Sequence, residues 1–451
     1  MIMKKFKKYI LVPVVLFASV FVMQAQTSSV EANVKEFDVN GIQVLLKSSP
    51  KEVVSVSLYI KGGTANYSKE QEGIENFALN LALSGGTTSM DKIAFSNAVN
   101  KIGARIGANS DYDFSRINLT CVKQFWDDSW NLYADAILNP AFDEEEYTLL
   151  KAKLIAAAKQ TASNPDNQLR NLAMANVFKG KNYEKIANGT ETSIPKITLD
   201  NLKDYYKNLL GKKRIFIVVA GAVSQKDITS KIAASFASLP EGTSPKVEEP
   251  TQITEATNFI EDRDIATNYI RGYMMAPKMD SKEGVAMMIA MSILRDRLFV
   301  EIRTKRGLSY APSSFYATGI VNSPYNAVYV STIDPKASIK VMVDEIDKLR
   351  SVGYTSKELT DVKQSFLTTH YMGLETMSSQ SANLGLSELK GNWQMAEEFA
   401  NIVNDITLED INSAIKEYSD VISWTYLGKK DMINEEDFLQ PKKLTDQNIK
   451  D

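Results

Sequence analysis

The stretch GIENFALNLALSGGT, Gly73 to Thr87, sets two carboxamides, Asn76 and Asn80, four residues apart in a mostly apolar run. On a helix, residues four apart share a face. Two imidazoles at that spacing would chelate a metal ion. Neither residue here is histidine, and Leu79 precedes the second amide. On their own residue types the two asparagines are polar helix residues at a domain surface.

The rest of the chain offers little to complete a metal site. It holds one histidine, His370, and one cysteine, Cys121. Structural and catalytic zinc sites draw three or four protein ligands, mostly His and Cys, so one of each cannot build a usual site. Cys121 lies in the strand-like alternation RINLTCV and reads as a small buried hydrophobe. His370, in QSFLTTHYMGL, reads as a solvated or satisfied polar residue on a helix. Met274, Met275, Met279, Met287, Met288 and Met291 have strand and helix-core spacing and are assigned to packing rather than to copper. No Walker loop, nucleophile elbow or dinucleotide fingerprint is present.

The elements that must position any site come next. The 451 residues allow two to four domains. The net charge of −3, with 52 basic and 55 acidic residues, does not point to nucleic acid. Residues 1–26, MIMKKFKKYILVPVVLFASVFVMQAQ, join four lysines to an apolar run and then small and polar residues. That is the layout of a secretory signal, and it predicts an exported protein, periplasmic or envelope-associated in a bacterium.

An internal repeat organises the remainder. ITLDNL begins at Ile197 and ITLEDI at Ile406, an offset of 209. Each reads as a Thr-capped helix start that leads through an amphipathic helix into a strand, RIFIVVAG and VISWTYLG. FDEEEYTLLK from Phe142 and YTSKELTDVK from Tyr354 repeat at an offset of 212. Between the halves, LPEGTSPKVEEPTQITEATN lacks periodicity and reads as a linker. The expected division is a signal at 1–26, one domain over 27–240, a linker over 241–259 and a second domain over 260–440. The terminal PKKLTDQNIKD reads as a frayed tail.

This order resembles the insulinase-like (pitrilysin) metallopeptidases, including the mitochondrial processing peptidase type. The resemblance implies an α+β fold of two tandem homologous domains, each a mainly antiparallel sheet packed with helices. The family's zinc helix reads G-x-A-H-F-x-E-H. Laid on Gly73 to Asn80, its two ligand histidines fall on Asn76 and Asn80, and its general-base glutamate falls on Leu79. Its third ligand, a glutamate on a later helix, falls on Ala157. The resemblance therefore implies a degenerate zinc site. Asparagine binds zinc poorly, and leucine accepts no proton.

A second family phrase is kept. RLFVEIRTKRGLSYAPSS, Arg297 to Ser314, is similar to R-L-F-x-E-x-R-x-x-x-G-L-x-Y. It places Arg303 and Tyr310 where the family has an arginine and tyrosine that hold the substrate peptide at the scissile bond. The implied role is the non-catalytic subunit of a two-chain zinc peptidase. Its implied partners are a zinc-bearing relative and an extended or unfolded peptide, with zinc expected only in the partner. The alternative is a non-enzymatic peptide-binding or scaffold protein of the same descent. A lone protease with carboxylate-only ligands is disfavoured, because such sites suit calcium or magnesium. Strand addition at Gly103 to Cys121 is the implied mode of peptide capture, and Gly107 stands where the family has an asparagine.

Overall fold

The structure is a computed structural model and describes residues 34–444. The proposed signal at 1–26 lies outside the described residues. The first half contains β1 (Val34–Val39), β2 (Ile42–Ser48), β3 (Val53–Lys61), α1 (Ile74–Ser84), α2 (Lys92–Lys101), β4 (Arg105–Ser110), β5 (Phe114–Val122) and α3 (Trp126–Leu138). It continues through α4 (Glu144–Ser163), α5 (Pro165–Val177), α6 (Leu199–Leu209), β6 (Ile215–Gly221) and α7 (Gln225–Phe236). The second half runs β7 (Asn258–Asp262), β8 (Asn268–Met275), α8 (Lys282–Leu298), β9 (Ser313–Tyr316), β10 (Tyr325–Thr332) and α9 (Pro335–Ser351). It closes with α10 (Ser356–Gly373), α11 (Met377–Leu389), α12 (Met395–Asp405), α13 (Leu408–Tyr418) and β11 (Ser423–Gly428).

Each half builds one sheet. The first has the order β1-β2-β6-β3-β5-β4, and the second β7-β11-β8-β10-β9. Every pairing is antiparallel except β2 with β6 and β7 with β11. The fold is thus α+β, in two related layers of mainly antiparallel sheet and helix. The capping threonines act as their sequence suggests. Thr198 and Thr407 each complete a reciprocal capping box, with Asn201 and Asp410.

The sheets explain why their central strands are so apolar. β3 and β6 are buried almost end to end, which requires cover on both faces. Val44, Val56, Leu58, Ile217 and Val219 face the helices of their own half. Leu45, Tyr59, Phe216 and Val218 alternate to the other face. There they meet Leu384 of α11 and Ala396 of α12, which belong to the second half. Gly385 allows that approach, since a Cβ there would fall 2.1 Å from the Tyr59 ring.

The exchange is reciprocal. Ala173 and Met174 of α5, with Phe178 and Tyr183 beyond it, pack on Tyr273, Tyr325 and Ala327 of the second sheet. Pro165, which opens α5, and Met377, which opens α11, are separated by the second offset of the sequence repeat. Each half therefore lends the same helix to cover the other's sheet. Polar contacts hold the junction as well. Lys47 pairs with Glu397 at 2.6 Å, and Ser381 donates to Ser57 at 3.0 Å.

Part of the C-terminal stretch differs from a frayed tail. The backbone N–H of Lys442 donates to Asp347 at 2.8 Å, and its carbonyl accepts from Arg350 at 2.7 Å. The Arg350 side chain is almost fully buried and needs that acceptor. Residues 445–451 lie outside the described residues.

Candidate functional site

The helix that would carry zinc in the family is α1. Gly73 opens it at φ +87, and a Cβ there would fall 2.6 Å from Gly189 Cα. Only glycine fits this start without strain. Phe77 stacks on Tyr147 of α4 at 5.5 Å, fixing α1 against α4. Leu79 is fully buried in the first core. The position of the family's base has become part of the packing.

One amide leans on the other. Asn80 Nδ2 donates to the Asn76 backbone carbonyl at 2.7 Å and to Asn76 Oδ1 at 3.0 Å. Asn76 and Ala157 line one cleft of about 490 Å³, between α1, α4, α5 and the segment that follows α5. The structure thus brings together two of the positions the sequence singled out. Asn80 turns back along its own helix, and Leu79 turns inward. Among the described residues, no group of three or more His, Cys, Asp or Glu side chains could hold a metal ion. Zinc is the metal the family implies, and two carboxamides, an alkyl side chain and a methyl group do not suit it.

The one acid on α1 escaped the sequence reading. Glu75 is fully buried. It accepts from Ser115 at 2.5 Å, Tyr205 at 2.5 Å and Asn66 at 2.9 Å. Burial raises its pKa, against the pull of these donors. A glutamate interrupting an apolar run was the available signal, because a buried acid needs partners.

Cys121 is buried in β5. His370 is half-buried on α10, its ring 4.7 Å from that of Phe399, and burial lowers its pKa. It lines a cavity of about 490 Å³ among α8, α10, α11 and β9. This cavity is the repeat counterpart of the cleft beside α1. Thr369, His370 and Asn383 stand at the repeat equivalents of Ala157, Ala158 and Asn171.

The arginine and tyrosine follow α8. That helix ends in one wider, π-helical turn, Phe299–Thr304, which carries Arg303. Such turns often mark functional positions. Gly307, at φ +62, donates its N–H to the Arg303 carbonyl at 3.1 Å and ends the helix. The Arg303 guanidinium lies 4.8 Å from the Phe299 ring and 4.0 Å from the Tyr310 ring. Sequence separation by seven has become direct stacking.

The charges nearby are already assigned. Glu301 is held by Lys305 and Arg306, each at 2.6 Å, which lowers its pKa. Arg297 forms a fork on Glu358 at 2.7 and 2.9 Å and ties α8 to the start of α10. Arg303 has no carboxylate or other hydrogen-bond acceptor among the described residues, and Tyr310 is 77% exposed. Two rings orient the guanidinium and leave its N–H groups unspent.

Comparison with known proteins agrees with this anatomy. A family model described as "Insulinase (Peptidase family M16)" matches residues 43–191, and one described as "Peptidase M16 inactive domain" matches 196–366. The chain belongs to the insulinase family, M16. It is a catalytically degenerate member, since α1 lacks the zinc histidines and the base. An "Uncharacterized zinc protease" of Rickettsia felis is 24% identical over 402 residues, covering 87% of this chain and 97% of that protein. A "Non-peptidase homolog" from Helicobacter pylori is 23% identical over 389 residues, covering 82% and 87%. The crystal structure of a peptidase M16 inactive domain from Pseudomonas fluorescens superposes with a TM-score of 0.80 at 19% identity, covering 91% of this chain and all of that one.

Proposed function

We propose that this M16 chain is the non-catalytic subunit of a two-chain zinc peptidase. It contributes Arg303 and Tyr310 to a peptide that a zinc-bearing partner hydrolyses. The observation that carries this reading is the state of Arg303. Its guanidinium is stacked between two rings with no anion to neutralise it, beside an exposed phenol. A rigid fork of N–H donors and one directed O–H suit a carbonyl oxygen on which charge develops. Among the described residues, β4 lies at the edge of the first sheet and pairs only with β5, leaving a side on which an extended peptide could add as a strand. The signal-like residues 1–26 support a place outside the cytoplasm, in the periplasm or envelope.

The test is reconstitution. The purified chain alone should leave an unfolded peptide intact, and a mixture with a zinc-bearing M16 relative should cleave it. Arg303→Ala should lower turnover by about 10²- to 10³-fold, the range for loss of one donor to an oxyanion, with assembly unchanged. Equal turnover with and without Arg303 would remove the proposal. The second reading is a peptide-binding or scaffold protein outside any hydrolysis. It is favoured by the packing of Leu79 into the core, which commits that position to structure. Under that reading the chain binds peptide, no M16 partner forms a complex with it, and Arg303→Ala leaves affinity unchanged.

A further inference from the structure

A cavity of about 280 Å³ lies where the two halves meet. Four lysines line it, each from a different segment. Lys61 ends β3, Lys246 lies in the connecting segment, Lys278 follows β8 and Lys390 follows α11. Two acids, Asp113 and Glu248, share the lining. Both are already engaged by uncharged donors. Asp113 accepts from the Tyr183 hydroxyl at 2.6 and 2.7 Å and from the Val321 N–H at 2.9 Å. Glu248 accepts from the Asn182 N–H at 2.9 Å.

The lysines have no such partners. Among the described residues, none of the four ammonium groups meets a carboxylate or a carbonyl at bonding distance. Lys61 lies 5.1 Å over the Phe216 ring. Some other part-buried lysines are paired, as Lys47 is with Glu397 and Lys231 with Asp127, while Lys123, Lys212 and Lys416 also lack a side-chain partner among the described residues; what sets the four apart is that they meet in one cavity. Lys61 and Lys390 are half-buried, while Lys246 and Lys278 reach solvent. Burial lowers Lys390 to about 8, with no acid raising it. Asp113 and Glu248 offset part of the lysines' charge and Glu388 feels the charge of Lys61, but the excess of cations in a partly desolvated space remains unfavourable until a further anion joins them.

We propose that this cavity binds a small multivalent anion, one presenting two or more phosphate or carboxylate groups to Lys61, Lys278 and Lys390, with Lys246 closing from the connecting segment. The volume is close to the lower bound of ordinary small-ligand sites, about 300 Å³, so the ligand is compact. Multivalency follows from the charge excess of the lining, four ammonium groups against two carboxylates, which a singly charged group would leave unbalanced. The ligand would tie the first sheet, the connector and the second half together. The site is separate from Arg303 and Tyr310 and does not depend on the peptidase-subunit reading.

Calorimetric titration of the whole chain, at fixed ionic strength in an anion-poor buffer, tests this with two probes, inorganic tripolyphosphate and citrate. One-site binding and a raised melting temperature are expected with at least one probe. Saturation by tripolyphosphate alone assigns phosphate chemistry, by citrate alone carboxylate chemistry, and by both the shared anion chemistry. The double variant Lys278→Gln/Lys390→Gln should weaken binding by at least tenfold. Lys340→Gln, on an exposed lysine paired with Asp344, should leave it unchanged. Absence of binding by both probes overturns the proposal. So does an equal loss in the Lys340 variant, or undiminished binding in a double variant whose circular dichroism and melting match the parent.

Discussion

Helix α1 of the first half and the turn that follows its counterpart α8 in the second have polar groups with different fates. On α1 the polar groups are mostly engaged within the chain, although Asn76 still lines the cleft. Asn80 bonds to Asn76, Glu75 holds three donors, and Leu79 fills the core. After α8, Glu301 takes the charge of Lys305 and Arg306, while Arg303 meets only rings and Tyr310 stands in water. Polar groups inside a fold cost free energy until they are paired. A region with no ligand to wait for gains stability by pairing its groups internally. A region that keeps donors unspent, yet oriented, is what the proposed function calls for.

The comparison is most easily broken at Leu79. If α1 has become core, Leu79→Glu places an unpaired carboxylate in an apolar interior and should cost about 3–5 kcal/mol, read by urea unfolding. A nearly neutral variant would mean that position 79 still opens to the cleft. Next in size is Glu75→Ala. It strands the hydroxyls of Ser115 and Tyr205 and the amide of Asn66, and should cost about 2–4 kcal/mol. A loss under about 1 kcal/mol, less than one stranded buried group costs, would show that these donors turn to water and that α1 is looser than its contacts indicate.

A third variant tests the frame that holds both regions. Asp113 clasps the halves through Tyr183 and Val321, and burial raises its pKa from 3.8 to about 6. Its folded pKa exceeds the unfolded one, so between about pH 4 and 6 the folded state binds more protons. Stability from this group is therefore greatest below pH 4 and falls as pH rises toward 6. The loss should be about 1–3 kcal/mol, the upper figure corresponding to roughly two pKa units. Asp113→Asn should remove that segment of the pH–stability curve while the acid-limb slopes of other carboxylates persist. Parallel curves for the two proteins would place Asp113 in water.

Much of this frame can be read in the chain, and the reasons are local. The repeat is legible because Thr198 and Thr407 cap equivalent helices, and caps are set by a few adjacent residues. The loss at Asn76, Leu79, Asn80 and Ala157 is legible only through the family phrase laid on the chain; helix spacing alone says that Asn76 and Asn80 share a face. The reciprocal loan of α5 and α11 is not legible. An amphipathic stripe tells that a helix is covered, not which sheet covers it. The apolar IFIVVAG of β6 is read in the sequence only as a strand; its burial on both faces and the second layer that causes it come from the structure. Lys61, Lys246, Lys278 and Lys390 come from distant parts of the chain, and only tertiary folding gathers them. Arg303 on Tyr310 is an intermediate case. The phrase marks both residues, but their stacking needs the wider turn at Phe299–Thr304 and the left-handed Gly307.

The smallest expected effect on stability falls on that pair, and it bears most directly on the contrast. The Arg303 side chain is partly exposed and makes no hydrogen bond within the described chain, and its contact with Tyr310 lies at the surface. A cation over a ring at such a site contributes about 0.5–1 kcal/mol at most. Tyr310→Phe keeps the ring and removes only an exposed hydroxyl, so its melting temperature should match the parent. Arg303→Ala should stay within about 0.5 kcal/mol, the usual range for surface changes. A near-zero cost is what the proposed function requires, because under that proposal the pair is kept for an external acceptor rather than for the fold. A loss in Arg303→Ala above about 2 kcal/mol, well outside the range for surface changes, would reverse the inference. The guanidinium would then be structural, its two rings its purpose, and the region after α8 would join α1 as one whose chemistry has been spent on packing.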